Sequence, residues 1–302
     1  MTKSMLYQNI LETIGNTPMV KINKLNPNPN LEIFAKLEGQ NPGGSIKDRV
    51  ALKMLEKAIE NGELTKDKTI IEPTSGNTGI GIAMIGAVLG YAVEIVMSAA
   101  VSMERRKMLE AFGAKIILTD ADKGTDGAIV KARELVKDNP KKYFMPDQFS
   151  NVYNKIAHYE NTAKEIWQDM DGKIDYFVSS IGTSGTIMGV GKYLKEYDPN
   201  IKIVCAYPEK GHYIQGLKNM EEAIVPAIYA AKQIDEFVNI ESEKAFAMAR
   251  RIAKEEGIFV GMSSGAAMLA AFELAGRDIS GRLAVIFPDR GEKYLSTKLW
   301  GE

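Results

Sequence analysis

Thr69-Ile70-Ile71-Glu72-Pro73-Thr74-Ser75-Gly76-Asn77-Thr78-Gly79 sets the reading of this chain. A β-branched run, Thr69 to Ile71, reads as a strand. A loop of glycine and hydroxyl residues follows, and a buried helix runs from Thr78 to Leu89. The theme recurs outward. Ala92 to Met97 and Lys115 to Leu118 read as strands. Ser102 to Phe112, which stops at Gly113, and Gly127 to Asp138 read as helices. On the N-terminal side Leu31 to Leu37 alternates as a strand, and Ser45 to Asn61 has helical periodicity closed by Asn61-Gly62. The cluster Asn26-Pro27-Asn28-Pro29-Asn30 is a loop. The second half repeats the alternation, with strands at Tyr176 to Ser180, Lys202 to Tyr207 and Leu283 to Phe287. Its helices are Ala157 to Met170, Thr186 to Glu196, Ser242 to Glu256 and Ser264 to Ala275. This pattern predicts an α/β fold of two three-layer domains, each with a mostly parallel sheet, facing each other across a cleft.

Lys and Arg (38) nearly balance Asp and Glu (39), for a net charge of -1. That balance gives no reason to expect nucleic acid or an anionic membrane as partner. The single cysteine, Cys205, sits in an apolar strand and has no partner for an internal disulfide. His158 and His212 lack metal-site spacing. The N-terminus has no apolar core of signal-peptide length, and the most apolar stretch, Gly79 to Val93, is too short to span a bilayer. A soluble, cytoplasmic, metal-free protein is expected.

In a parallel α/β fold ligands sit at the carboxyl ends of strands. Two strand-to-helix loops are rich in glycine and hydroxyls: the opening one, and Ser179-Ser180-Ile181-Gly182-Thr183-Ser184-Gly185-Thr186. Each presents backbone N–H groups beside a helix N-terminus, the arrangement that holds phosphate or carboxylate. Neither carries the P-loop or dinucleotide spacing. One such loop alone reads equally well as a tight turn packed on the sheet. Two at equivalent points suit a ligand with both a phosphate and a carboxylate. In Asn41-Pro42-Gly43-Gly44-Ser45-Ile46-Lys47-Asp48-Arg49, Ser45 can cap the next helix and place Lys47 in its first turn. The helix dipole there favours the neutral amine, the form that makes an imine. Taken alone, Lys47 reads as one more solvated lysine. In Gly261-Met262-Ser263-Ser264-Gly265, Ser264 reads as a helix cap. Two isolated histidines give no support for a hydrolase triad.

Taken together, the segments resemble the cysteine synthase (O-acetylserine sulfhydrylase) family, within the tryptophan-synthase-β-like, fold-type-II pyridoxal-phosphate enzymes. The likeness runs from Ile14-Gly15-Asn16-Thr17-Pro18 to Asp289-Arg290-Gly291-Glu292-Lys293-Tyr294-Leu295-Ser296-Thr297. Pro42 to Arg49 and Thr74 to Gly79, in this order, are its specific motifs. The resemblance implies a larger cofactor-binding domain of residues 1–42 plus 149–302 and a smaller mobile substrate domain, 43–148. It implies pyridoxal 5'-phosphate as cofactor, bound covalently by Lys47, which later moves the proton at the substrate Cα. Gly182, Thr183, Ser184, Gly185 and Thr186 would hold the phosphate, Asn77 the 3' oxygen, and Ser264 would face the ring nitrogen. Thr74, Ser75, Thr78 and Gln148 would bind the substrate carboxylate. A homodimer is implied as well. The neutral hydroxyl of Ser264 makes the ring a weaker electron sink than a carboxylate would, favouring β-elimination and replacement over transamination.

The chain also departs from the family pattern. Its phosphate loop reads Gly-Thr-Ser-Gly-Thr where many members have Gly-Thr-Gly-Gly-Thr. Ile214 to Pro226 looks closer to the B-type isozymes, whose basic residues near the site entrance include the position of Lys218. A substrate contact and a solvent-facing charge are equal readings of that lysine. Met97 to Ser102 and Asn151-Val152-Tyr153-Asn154 differ from the usual residues beside the substrate mouth. Two reactions fit. One makes L-cysteine from O-acetylserine or O-phosphoserine and sulfide. The other takes L-cysteine first, releases hydrogen sulfide and forms lanthionine, cystathionine or serine. A nicotinamide oxidoreductase fits the fold but lacks its fingerprint.

Overall fold

The computed structural model describes residues 6–74 and 76–301. The chain enters on β1 (Met19–Ile22) and β2 (Leu31–Leu37), then crosses through α1 (Lys47–Glu60). It builds β3 (Thr69–Pro73), α2 (Asn77–Leu89), β4 (Val93–Ser98), α3 (Met103–Ala111), β5 (Lys115–Thr119), α4 (Gly124–Asp138) and the short β6 (Tyr143–Phe144). It returns through α5 (Val152–Ala157) and α6 (Ala163–Asp169) to β7 (Tyr176–Ser180), α7 (Gly185–Tyr197) and β8 (Lys202–Pro208). There follow β9 (Glu236–Ile240), α8 (Ser242–Arg251), α9 (Met262–Ala275) and β10 (Gly281–Phe287).

Two sheets result. One has six strands in the order β1-β2-β10-β7-β8-β9, and the other four in the order β5-β4-β3-β6. Every neighbouring pair is parallel except the β1–β2 hairpin. Both faces of each sheet are covered, because successive side chains of a strand point to opposite sides. In the large sheet Val178, Val204, Leu283 and Val285 pack with α8 and α9. Their neighbours Phe177, Ile203, Ala284 and Ile286 pack with α6 and α7. In the small sheet Ile70 and Ile95 meet α1 and α2, while Ile71 and Val96 meet α4. Cys205 is a buried β8 residue. Arg49 of α1 pairs with Glu38 at 2.7 Å and with Glu165 of α6 at 2.6 Å, joining the two layers of helices through a buried ionic knot.

Strands β1, β6 and β9 were not expected. The first and last lie at the edges of the large sheet, half exposed, so their apolar signal is diluted. The single helix expected from Ala157 to Met170 starts earlier, at Val152, and passes through a π-helical segment at His158–Thr162. Likewise the helix from Ser242 ends in a π segment at Ile252–Glu256. A 3.6-residue period does not separate a π turn from the α-helix around it. No helix of the described residues is long and apolar enough to cross a membrane.

Candidate active site

A cavity opens between the two sheets, at the carboxyl ends of β3 and β7, where a parallel α/β fold places its ligands. Lys47, Thr74, Asn77 and Thr78 line one side; Gly182, Thr183, Ser184 and Thr186 line another. Gln148, Phe149, Gln215, Lys218 and Ser263 complete the wall. Residues read separately along the sequence are therefore brought to one place. Ser75 lies outside the described residues, Gly185 is the first residue of α7, and Ser264 is fully buried behind the cavity wall.

Lys47 opens α1, with its N–H donating to the Ser45 hydroxyl at 3.2 Å. Burial lowers its ammonium from 10.5 to about 8, against an opposing pull from Asp289. The direction expected from the helix dipole holds, but desolvation is the main cause.

At the α2 N-terminus, Gly76 adopts φ +130°, a conformation that L side chains rarely reach, and donates its N–H to the Thr74 hydroxyl at 3.0 Å. The Thr78 hydroxyl donates to the Gln148 side-chain oxygen at 2.6 Å, and the Gln148 amide donates to the Pro73 carbonyl at 3.2 Å. Buried Glu72 fixes that glutamine by accepting the N–H groups of Asp147 and Gln148 at 2.9 and 3.0 Å.

The loop before α7 is held as tightly. Ser184 sits in the left-handed region at φ +67°, where a glycine would be unstrained. A Cβ on Gly185 would lie 1.9 Å from the side-chain oxygen of Asn154. Asn154 in turn donates to the Gln148 carbonyl at 2.7 Å and the Thr183 hydroxyl at 3.0 Å, tying the two loops together. Behind them His158, in the π segment, has Nδ1 3.0 Å from the Thr162 hydroxyl and Nε2 3.3 Å from that of Thr186. Burial keeps this imidazole neutral, well below its ordinary pKa.

A second network stands behind Asn77. Its amide donates to Asp289 at 2.7 Å, and its oxygen accepts from Lys293 at 3.0 Å. Asp289 also accepts from the Tyr294 hydroxyl at 2.6 Å, and Lys293 donates to the Gly43 carbonyl at 2.9 Å. Lys218, buried, reaches Asp126 at 2.6 Å.

The residues fit a phosphorylated pyridine aldehyde. The hydroxyls of Ser184 and Ser264 are buried and have no hydrogen-bond partner in the protein, an uncommon state that a ligand would relieve. Ser184 stands at the loop proposed for phosphate, and Ser264 in the first turn of α9. Among the described residues no group of His, Cys, Asp and Glu could hold a metal ion. Gly261-Met262-Ser263-Ser264-Gly265 does match the Gly-x-Ser-x-Gly spacing of a hydrolase elbow, but His158 is engaged by Thr162 and Thr186, away from Ser263.

Sequence reading missed Glu72, Asn154, His158, Asp289 and Lys293. Asp289 and Lys293 fall inside the quoted C-terminal motif, without a role. Glu72 acts on residues far along the chain, while Asn154 and His158 each join a near neighbour to a residue around the start of α7.

The family model described as "Pyridoxal-phosphate dependent enzyme" matches residues 10–289. The chain is 48% identical to a cysteine synthase of Aquifex aeolicus, over 98% of this chain and 93% of that protein. It is 42% identical to cysteine synthase B of Escherichia coli, over 96% and 95%. Among solved structures, a hydrogen sulfide-producing enzyme of Fusobacterium nucleatum superposes with a TM-score of 0.91 at 44% identity, covering 96% of this chain and all of that one. The chain belongs to the pyridoxal-phosphate dependent enzymes, and it has their two-sheet, mostly parallel fold.

Proposed function

We propose that this enzyme performs β-replacement on an amino acid, making L-cysteine from an O-activated L-serine (O-acetylserine or O-phosphoserine) and sulfide. The observation that carries the reading is the placing of a half-buried, easily deprotonated lysine between two separate anion cradles in one cavity. Similarity to two cysteine synthases at 48% and 42% identity supports it.

Pyridoxal phosphate, when bound, supplies an electron sink that loosens the bonds at Cα and Cβ of the substrate. Lys47 would hold the cofactor covalently, and its amine would take and return the Cα proton of the substrate. Gly182, Thr183, Ser184, Gly185 and Thr186 present N–H and O–H donors to the phosphate at the α7 N-terminus. Asn77 offers its remaining amide N–H to the 3' oxygen, and Ser264 its neutral hydroxyl to the ring nitrogen. Thr74, Ser75, Thr78 and Gln148 bind the substrate carboxylate at the α2 N-terminus. Lys218 forms the wall on the substrate side.

Residues 1–42 with 149–302 act in this proposal as the cofactor domain and 43–148 as a mobile substrate domain that shuts out water. A cytoplasmic homodimer completes it, to be checked by fractionation and light scattering.

A second reading, with L-cysteine as first substrate and hydrogen sulfide as product, is favoured by the likeness to the sulfide-producing enzyme. Lanthionine, cystathionine or serine would then be the other product. One preparation decides: sulfide release from cysteine alone is compared with consumption of O-acetylserine plus sulfide. Faster release from cysteine reverses the proposed direction; turnover of the activated serine alone upholds synthesis.

A further inference from the structure

Lys218 carries a positive charge into the cavity wall, yet that charge is already matched. Its ammonium lies 2.6 Å from one carboxylate oxygen of Asp126, and the other oxygen accepts the Ile224 N–H at 2.8 Å. The two side chains are only 9% and 32% exposed, so water screens the pair weakly. Lys218 is also pinned by its backbone, whose N–H donates to the Ile181 carbonyl at 3.0 Å, one residue before the loop at Gly182. Asp126 stands in the first turn of α4, where the helix dipole favours its negative charge, next to cavity-lining Thr125. The wall therefore presents a neutral pair. A phosphate monoester entering beside it would meet a carboxylate already occupying the only lysine there besides Lys47 among the lining residues. An ester or thiol, being uncharged, meets no such repulsion.

We propose that Asp126 determines β-substituent specificity: by neutralising Lys218 it directs the enzyme to alanines whose β-substituent is uncharged while attached, an acetyl ester or a thiol, and against a phosphate ester. The inference rests on the β-replacement reading above and names its substrate class.

The test uses the cofactor-loaded enzyme and its D126N, D126S, K218M and D126N/K218M variants. For each, kcat/KM is measured with O-acetylserine and O-phosphoserine, and binding of both is followed by the change in the visible spectrum of the cofactor. Releasing Lys218 from its carboxylate should raise kcat/KM for O-phosphoserine about tenfold or more in D126N, with O-acetylserine held within about threefold. D126S, which keeps a small polar side chain, should show the same preference, and adding K218M should erase it. The proposal is overturned if D126N leaves the phosphoserine-to-acetylserine ratio unchanged, or if the double variant keeps the gain. Should no variant turn over either serine, the synthase reading falls, while the ratio of binding affinities still decides the role of Asp126.

Discussion

The Lys293 ammonium lies 3.0 Å from the side-chain oxygen of Asn77, and this contact fixes which way the Asn77 amide points. With Asp289 2.7 Å from the amide nitrogen, the flipped amide would set oxygen against carboxylate and N–H against ammonium. One amide N–H is left for the cofactor. Lys293→Met removes one of the two contacts that orient the amide, leaving Asp289 alone to hold it, and should weaken pyridoxal phosphate binding by about 1 kcal/mol, or five- to tenfold. Its visible maximum should move as well. Fluorescence titration and absorbance check this; an unchanged spectrum at unchanged affinity would reduce Lys293 to scaffolding.

Lys47 gives a pH dependence. In the proposed role its neutral form would capture the cofactor, and burial brings the ammonium from 10.5 down to about 8. The capture rate by cofactor-free protein should therefore climb with pH and level off above about 8, where an exposed lysine would still be climbing. Stopped-flow absorbance from pH 6.5 to 9.5 reads it. Lys47→Ala should lower turnover by on the order of 10²–10⁴-fold or more.

The two glycine- and serine-bearing turns respond in opposite ways to small changes. Gly185→Ala forces a methyl to within 1.9 Å of Asn154, so the loop or Asn154 must shift. A destabilisation of about 1–3 kcal/mol is expected, with weaker cofactor binding. Ser264→Ala removes a hydroxyl that has no partner in the protein, so the cofactor-free melting temperature should hold or rise. Cofactor affinity should drop in the same variant. A fall in both would show that the hydroxyl stabilises the fold itself.

Glu165 supplies acid sensitivity. Burial pushes its carboxyl up, but Arg49, with Lys36, outweighs this and brings it from 4.5 to about 2. A carboxyl with a lowered folded pKa adds stability above its unfolded value, and that stability is lost as pH falls from about 4.5 towards 2. The contribution at neutral pH is roughly 2–3 kcal/mol after allowing for partial exposure. Melting temperatures between pH 6 and 2.5 should fall more steeply for the parent than for Glu165→Gln.

The parts legible in the sequence were those with local signals. Ile70, Ile71 and Tyr176 to Ser180 are strands because β-branched and aromatic runs fit a pleated, buried surface. The loops at Gly76 and Gly182 to Thr186 were legible because glycine and hydroxyl residues cluster at strand-to-helix turns. What closes the site was not, since Asn154 grips Thr183, 29 residues on, and Lys293 grips Asn77 across 216 residues. Such pairings depend on how the sheets come together, which no window of neighbouring residues encodes. Ser184 shows the reverse case. Its departure from glycine was visible in the sequence, but its φ of +67° and its buried hydroxyl were not.

The position of β10 bears on how the protein can be synthesised. Strand β10, far downstream of β2 in the sequence, lies in the middle of the large sheet, between β2 and β7. Until residues 281–287 emerge, β2 and β7 each present a raw hydrogen-bonding edge. Nascent chains stopped short of Gly281 therefore have two sticky half-sheets and no assembled site, which makes them substrates for chaperones or aggregation. Completion of the cavity therefore waits on a strand far downstream of β2, a slow, high-contact-order step.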